Sequence, residues 1–268
     1  MLGAIIGDIV GSPYELTCNN IKTTDFPLFQ KSSHFTDDTV MTVAVAEAMM
    51  RGSGDAAKTS QELAAALLKY GYRYPDAGYG GMFHAWLAGP QQPYGSYGNG
   101  SAMRVSSVAW LFEDLETVER FARISAEVTH NHPEGIKGAQ ATAAAIFMAR
   151  RGKSKVEIRR HVEETCGYDL SSRTPETIRP HYARAESCQG TVPEALISFL
   201  HSDSFENAIR IAVSLGGDSD TLAAITGSVA EAAYGIPESI RQEALQRLDS
   251  PLLQVYEAVV DKIKMSAA

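Results

Sequence analysis

The sequence of 268 residues predicts an all-α fold, with residues 1–268 forming a single domain. Apolar residues recur with helical spacing in about a dozen segments, and no segment alternates polar and apolar residues as a strand would. No stretch repeats at a fixed period, and no linker rich in proline or serine divides the chain. Hydrophobic residues make up 44% of the chain, which is enough for a sizeable core.

The first helix is predicted over residues 2–11, where three glycines recur every four residues and leave one face smooth for close approach of another element. Residues 16–35 are polar and irregular, and we expect a mobile flap there. Apolar residues at helical spacing predict further helices over residues 40–50, 56–70, 82–87, 102–112 and 115–128.

Caps and prolines mark the helices of the second half. Pro133, followed by Glu134, is typical of a first helical turn. Thr191 and Glu194 form a capping-box pattern. Residues 166–188 are polar and predicted to be irregular. The predicted helices cover residues 133–151, 154–165, 191–201, 205–215 and 222–234, and two more begin at Pro237 and Pro251.

Two acidic motifs stand at the start of predicted helices. Residues 36–39 read Thr-Asp-Asp-Thr, and residues 216–221 read Gly-Gly-Asp-Ser-Asp-Thr. Taken alone, each motif is equally consistent with a plain helix cap, but capping does not need a second aspartate. If the four carboxylates converge, each pair at ~4 Å costs about 4 kcal/mol at an effective dielectric of ~20, so they must protonate or bind cations. Such oxygen ligands suit Mg²⁺, Mn²⁺ or Ca²⁺.

Charge and cysteine content exclude several classes of function. The net charge of −8 argues against non-specific binding to nucleic acid, which needs a basic surface, and against an anionic membrane surface. Cys18, Cys166 and Cys188 have no C-x-x-C spacing and form neither a disulfide framework nor a zinc site. The first ten residues lack the basic region of a signal peptide, and no apolar run reaches the ~18 residues of a membrane span. We therefore expect a cytoplasmic protein.

A region rich in glycine and tyrosine provides a second candidate site. Residues 71–100 hold 8 of the 22 glycines, a composition that suits a binding wall better than a linker. Residues 94–104 could direct several backbone N–H groups at a phosphate, although a plain turn has the same composition and the P-loop ending is missing. Arg104 either supports that phosphate or pairs with an acid in the core. Of His130 and His132, either one contacts a ligand or both are structural.

These motifs together resemble the motif series of the ADP-ribosylglycohydrolase family, which includes the dinitrogenase-reductase-activating glycohydrolases. They occur in the family's order and span residues 3 to about 235. The resemblance implies an orthogonal all-α helical bundle with two Mg²⁺ or Mn²⁺ ions in a central cleft and ADP-ribose as the ligand. It rests on Gly7, Asp8, Glu15, residues 36–41, residues 98–104, Thr129, His130 and residues 216–221.

Position within these motifs implies a role for individual residues. Glu15 matches a flap glutamate that approaches the metals. The implied metal ligands are Thr36, Asp37, Asp38, Asp218, Asp220 and Thr221. The implied ligand-binding residues are Ser96, Tyr97, Gly98, Asn99, Gly100 and His130.

The resemblance implies hydrolysis of the glycosidic bond between ADP-ribose and arginine, serine, another side chain or a small molecule. Cleavage through an oxocarbenium-like state needs a carboxylate that moves a proton. Glu15 is our hypothesis for that carboxylate, and Asp218 and Asp220 are rivals. Three alternatives remain: an ADP-ribose-binding module without catalysis, a metal-dependent phosphoester hydrolase, and structural Ca²⁺ sites, against which the missing EF-hand spacing argues.

Overall fold

The computed structural model describes residues 1–15 and 18–267, with side chains up to Met265. Within these ranges the chain is helical and forms no strand, and an isolated bridge pairs Gly98 with Ser187. The all-α prediction is therefore confirmed. No helix in the described ranges is long and apolar enough to cross a lipid bilayer.

The helices follow one another with short connections, apart from the longer irregular stretches 18–36, 89–99, 167–174 and 179–187. A 3₁₀ turn, Ser12–Tyr14, follows α1. The helices are α1 (Leu2–Gly11), α2 (Asp37–Gly52), α3 (Ala56–Arg73), α4 (Gly81–Ala88), α5 (Gly100–Met103), α6 (Val108–Leu111), α7 (Leu115–Glu127), α8 (Pro133–Arg150), α9 (Lys155–Cys166), α10 (Pro175–Ile178), α11 (Cys188–Leu200), α12 (Phe205–Ser214), α13 (Ser219–Tyr234), α14 (Glu238–Leu245) and α15 (Ser250–Ala267).

Helices α1 and α13 pack against each other at the centre of the molecule. A Cβ atom on Gly7 would lie 2.0 Å from the carbonyl oxygen of Ala223, and one on Gly11 would lie 2.4 Å from Cα of Asp220. Only glycine allows the two backbones to approach this closely. The glycine face predicted for the first helix is therefore an interhelical contact, and it brings the start of α13 to the end of α1.

Helix α2 begins at Asp37, three residues before the predicted start. Thr36 is extended and its side chain accepts a hydrogen bond from the backbone N–H of Asp38, so Thr36 is the N-cap. Nearly all of α2 is buried. The first acidic motif therefore lies in the first turn of a core helix, where its position is fixed.

The prediction of one continuous helix over residues 102–112 is wrong. Helices α5 and α6 are separate, and residues 104–107 form a turn between them. The side chain of Arg104 is directed inward to bond with Ser125 and Thr129. Val105, which is β-branched, and the two serines that follow it are weak helix formers, so the chain turns here.

The irregular regions are close to prediction. Residues 18–35 contain no helix, as expected; Leu16 and Thr17, which complete the predicted flap, lie outside the described residues. The stretch 166–188 was predicted to be irregular throughout, but it contains the short helix α10, which Thr174 caps in a capping box with Thr177. Helix α11 begins at Cys188, three residues before the predicted start.

Candidate active site

The two acidic motifs are adjacent in the folded chain. The Thr221 hydroxyl donates a hydrogen bond to Asp38 Oδ2 at 3.1 Å, although 183 positions separate the two residues. Asp37 and Asp38 lie in the first turn of α2, and Asp220 lies in the first turn of α13. Both helix starts therefore direct carboxylates and a threonine hydroxyl at one place.

Their carboxylates form two groups that share one member. Asp8, Asp38 and Asp220, here called the inner triad, offer oxygen atoms that all lie within 4.8 Å of one another. Glu15, Asp218 and Asp220, here called the outer triad, meet the same condition. The inner triad is fully buried, whereas Glu15 in the outer triad is half-buried. The shared Asp220 places the two groups side by side.

Burial and mutual repulsion raise the pKa values of these aspartates. Loss of water is the main cause for each of them, and it raises the pKa of Asp37 to about 8 and that of Asp218 to about 6. The pKa values of Asp38 and Asp220 rise well above their ordinary value, and neighbouring carboxylates add to the effect of burial. Such a cluster either takes up protons or binds cations.

Asp8 fixes the geometry of the first acidic motif by accepting hydrogen bonds from its two threonines. Its carboxylate accepts hydrogen bonds from the backbone N–H of Thr36 at 2.9 Å and of Thr39 at 3.1 Å, and from the hydroxyl groups of both threonines. Asp8 was not among the predicted site residues. A charged residue inside an otherwise apolar helix, and its place in the family motif, were the available indications.

Thr36 has a different position from the other predicted ligands. Its hydroxyl donates to Asp8 Oδ1 at 2.7 Å and accepts from the Asp38 N–H, and the residue does not line the cavity described below. Asp37, Asp38, Asp218, Asp220 and Thr221 all line that cavity. In this conformation the Thr36 side chain positions the motif rather than facing the open space.

One buried oxygen of the inner triad indicates what this site could hold. Asp38 Oδ2 accepts from Thr221, but Oδ1 has no hydrogen-bond partner among the residues that the structure describes. A buried carboxylate oxygen without a donor is unfavourable unless it is protonated or coordinates a cation. Hard carboxylate and hydroxyl oxygens are the ligands that divalent cations of the Mg²⁺ type prefer. The donor set therefore fits such an ion.

Arg184 closes the outer triad on the solvent side. Its Nη2 donates to Glu15 Oε1 at 2.8 Å and lies 3.5 Å from Asp218 Oδ1, while its Nε donates to Glu186 at 2.7 Å. These acids raise the pKa of Arg184 further above its ordinary value, although partial burial opposes them. No motif marks Arg184, because it lies in the irregular stretch before α11, so sequence reasoning missed it.

A cavity of about 570 Å³ opens above the carboxylates. This volume is in the range of about 300–1,000 Å³ that is usual for sites of small organic ligands. The acidic residues and the glycine loop, residues 95–100, both line it. Tyr79, Met82 and Phe83 line it from the segment predicted to be a binding wall.

The glycine loop is tied to the second acidic motif. The Asn99 side-chain amide donates to Asp218 Oδ2 at 2.6 Å and to the Thr191 hydroxyl at 3.1 Å. The loop also pairs with the segment before α11, since the backbone N–H of Asn99 donates to Glu186 O at 2.8 Å and that of Cys188 donates to Tyr97 O at 2.9 Å. All five predicted ligand residues of this loop, 96–100, line the cavity.

Of the two predicted histidines, His130 lines the cavity. It is 6% exposed, and its Nδ1 lies 2.7 Å from the Thr129 hydroxyl. Burial, with a smaller effect of Arg104, keeps the pKa of His130 well below its ordinary value, so the ring is neutral. His132 instead caps α8, where its Nδ1 accepts from the backbone N–H of Glu134 at 3.1 Å.

Arg104 lies beside His130 and has no acidic partner. Its guanidinium donates to Ser125 O and to the Thr129 hydroxyl, both at 2.8 Å, and no carboxylate in the described ranges forms an ion pair with it. The suggestion that Arg104 pairs with a core acid is therefore wrong. The reason is that the inward turn after α5 points it at carbonyl and hydroxyl oxygens of α7 and the segment after α7.

Comparison with known proteins gives one consistent result. The family model described as ADP-ribosylglycohydrolase matches residues 1–267. The chain is 27% identical to human (Homo sapiens) ADP-ribosylhydrolase ARH3, over 90% of this chain and 87% of that protein. It is 26% identical to ADP-ribosylarginine hydrolase Tri1 of Pseudomonas putida (strain GB-1), over 88% of this chain and 70% of that protein. A solved structure titled "ADP-ribosylglycohydrolase-related protein complex" has the same fold, with a TM-score of 0.75, 24% identity and coverage of 99% of this chain and 95% of that one.

Proposed function

This chain belongs to the ADP-ribosylglycohydrolase family and is an ADP-ribosyl glycohydrolase, and we propose that it binds two Mg²⁺ or Mn²⁺ ions between its two acidic motifs. The observation that carries this proposal is the contact between Thr221 and Asp38, which joins the two helix starts. Asp38 and Asp220 in the inner triad, and Asp218 and Asp220 in the outer triad, offer carboxylates to two neighbouring ions that would share Asp220. The proposed ligands are Thr36, Asp37, Asp38, Asp218, Asp220 and Thr221.

The proposed set of metal ligands is supported by the hydrogen bonds that the side-chain oxygens already make. Asp8 is already satisfied by four hydrogen bonds, so we assign it to positioning and not to direct coordination. Asp38 Oδ1 is free for a cation. Thr36 would coordinate through the remaining lone pair of its hydroxyl, since one hydrogen bond is donated and one accepted. When bound, the ions would supply Lewis-acid polarisation and a fixed orientation of the ribose diol.

Glu15 is the residue that we propose for proton transfer. It is the half-buried member of the outer triad and lines the cavity, so it can reach both the solvent and the reacting bond. A carboxylate there would move a proton to the leaving group or from the attacking water. Asp218 is the rival, but it accepts a hydrogen bond from Asn99 and sits at the helix cap, which suits a positioning role better.

The glycine loop is proposed to bind the diphosphate and adenosine of ADP-ribose. Backbone N–H groups and small residues of the glycine loop suit close approach of a phosphate. His130 adds a neutral imidazole beside this loop, so it can contact the ligand without an added charge. The proposed ligand-binding residues are Ser96, Tyr97, Gly98, Asn99, Gly100 and His130.

The modified group is proposed to be a side chain such as arginine or serine, or a small ADP-ribosylated molecule. The substrate named for the Tri1 relative is ADP-ribosylarginine. We further propose that residues 1–268 act as one domain and that the protein works in the cytoplasm. The three cysteines are all free, which is the usual state of thiols in a reducing compartment.

A hydrolysis assay tests the proposal directly. Peptides that carry ADP-ribosyl-arginine or ADP-ribosyl-serine are incubated with the protein and Mg²⁺ or Mn²⁺, and free ADP-ribose is measured against an arm with EDTA. We expect release from at least one peptide with metal and loss of release with EDTA. Release that EDTA does not change would overturn the metal proposal. Tight binding of ADP-ribose with no turnover of any substrate would instead identify a binding module.

A further inference from the structure

A fully buried arginine without a carboxylate partner is an unusual feature of this cavity wall. Arg104 is 1% exposed, and burial is the main cause that lowers its pKa to about 10. Burying a charge is unfavourable unless other groups satisfy it. Its Nε has no partner among the described residues, and its Nη2 serves two acceptors. The position of those acceptors indicates what the charge does.

The Thr129 hydroxyl lies between Arg104 and His130. Arg104 Nη2 is 2.8 Å from Thr129 Oγ1, and His130 Nδ1 is 2.7 Å from the same oxygen. A guanidinium can only donate, so Thr129 Oγ1 must accept from Arg104. A cation at this distance withdraws charge from the oxygen and makes the hydroxyl a better donor and a poorer acceptor. The Tyr94 hydroxyl also bonds to the Thr129 side chain. When Tyr94 donates to the second lone pair of Thr129 Oγ1, the Thr129 proton is left for Nδ1, and this is the favoured arrangement.

The direction of this hydrogen bond determines the tautomer of His130. A neutral imidazole has one N–H and one acceptor nitrogen, so an accepting Nδ1 leaves the proton on Nε2. A Cβ atom on Gly100 would lie 3.1 Å from Nε2, and one on Gly98 would lie 3.5 Å from it. Nε2 therefore faces the glycine loop, and it forms no hydrogen bond within the described part of the chain.

We propose that Arg104, acting through the Thr129 hydroxyl, holds His130 in the Nε2–H form and aims that N–H at an acceptor oxygen of the bound ligand. Arg104 and Thr129 are positioning residues, and His130 is the group that touches the ligand. The identity of the ligand as ADP-ribose, whose ionised phosphate oxygens can only accept such a bond, rests on the proposed function.

The opposite tautomer would give a different cavity. Its Nε2 would present a lone pair to a phosphate oxygen of the ligand, so one hydrogen bond would be lost and two lone pairs would face each other. Loss of a hydrogen bond of ordinary strength corresponds to about tenfold in affinity. The buried charge of Arg104 therefore favours one tautomer of the His130 ring over the other.

The first test needs neither substrate nor metal. Nitrogen-15 labelling of histidine and long-range proton–nitrogen correlation report which ring nitrogen carries the proton. The chain has seven histidines, and His130→Asn identifies the His130 signals by their loss. We expect the wild-type ring to carry its proton on Nε2. A proton on Nδ1 in the folded wild-type protein would overturn the proposal, whatever the variants do.

The second test compares Thr129→Ser with Thr129→Val. Serine keeps the hydroxyl, whereas valine keeps the shape and removes it. We expect Thr129→Ser to retain the Nε2–H form and the affinity for ADP-ribose, measured by calorimetry. We expect Thr129→Val to show a mixture of the Nε2–H and Nδ1–H forms, because valine gives Nδ1 neither a donor nor an acceptor, and to bind ADP-ribose up to about tenfold more weakly. Circular dichroism establishes that each variant is folded.

Two results separate this proposal from the proposed function. A Thr129→Val protein that keeps both the Nε2–H form and the wild-type affinity overturns the role of Thr129, even if the enzyme is active. The wild-type protein could instead be inactive but still show the Nε2–H form and the response to Thr129→Val. That result would support the role of Arg104 and Thr129 in positioning His130 and would overturn the proposed reaction.

Discussion

The guanidinium of Arg184 holds the carboxylate of Glu15 at the entrance to the proposed metal ligands, with 2.8 Å between Nη2 and Oε1. The same nitrogen lies 3.5 Å from Asp218, so a cation already supplied by the chain neutralises two members of the outer triad. A divalent ion in the outer triad would compete with this arginine for the same oxygen atoms.

We therefore predict that Arg184→Gln binds Mn²⁺ more tightly than the wild type, by up to about tenfold, because the competing charge is removed while the carboxylates remain. Isothermal titration calorimetry measures the affinity. The same substitution should lower the melting temperature of the metal-free protein. Arg184→Lys, which keeps the charge, should stay close to the wild type. Weaker Mn²⁺ binding by Arg184→Gln would show that the arginine supports the metal site.

Asp220 belongs to both triads, so its loss should affect both proposed ions. We predict that Asp220→Asn abolishes the rise in melting temperature that Mg²⁺ or Mn²⁺ gives the wild type, because ligand binding stabilises only a competent site. Without metal the variant should melt no lower than the wild type, since one repelling charge is gone. Thermal unfolding with and without metal measures both effects. Asp25→Asn, at an exposed position, is the matched control. An undiminished metal response in Asp220→Asn would contradict the shared-ligand assignment.

Glu15→Gln tests the proton-transfer role. We predict that the variant binds ADP-ribose but hydrolyses substrate about 10²–10⁴-fold more slowly, which is the usual contribution of a general acid or base. Calorimetry and a kcat measurement at saturating metal separate the two effects. Glu186→Gln is the matched control, because Glu186 bonds to the same Arg184 but belongs to neither triad. A normal hydrolysis rate in Glu15→Gln would exclude Glu15 and leave Asp218 and Asp220 as the candidates.

The buried His130 predicts a pH dependence of stability. Its pKa in the folded protein lies well below the ordinary value of 6.5, so below pH 6.5 the unfolded chain takes up a proton that the folded one does not. Stability is therefore lost as the pH falls below that value, by up to about 1.4 kcal/mol per pH unit. His130→Gln should lack this slope, whereas His201→Gln, at an exposed position, should keep it. Urea unfolding across this range measures the difference. Parallel slopes for the wild type and His130→Gln would contradict a neutral buried ring.

The contact of α1 with α13 should be intolerant of any added side chain. A Cβ on Gly7 would lie 2.0 Å from Ala223 O, and this is backbone that cannot move away alone. We predict that Gly7→Ala lowers the free energy of unfolding by about 3 kcal/mol or more, at or beyond the upper end for overpacked cores. Gly81→Ala is the control, because its added Cβ would meet no atom within 4 Å. Equal stability of the two variants would contradict the packing.

Local sequence signals were enough to predict many of the helices of this protein. These signals depend only on neighbours within a few residues: the glycine face of the first helix, Pro133 at a helix start, and the aspartate pairs at the starts of two helices. The structure has helices at all of these places. The break after Met103 was missed, because the inward turn of Arg104 is stabilised by acceptors more than twenty positions away. Arg184 was missed for the same reason, since its partners lie at Glu15 and Asp218.

The sequence by itself determined which residues supply the carboxylates, and the repetition of the acidic motif at residues 36–39 and 216–221 indicated that both motifs contribute to one site. Only the tertiary structure decided that Asp220 joins two groups of carboxylates, that Asp8 supports the first motif and that an arginine closes the entrance. The reason is physical: a helix start is fixed by hydrogen bonds within one turn, whereas repulsion between carboxylates depends on distances that the packing of α1 against α13 sets.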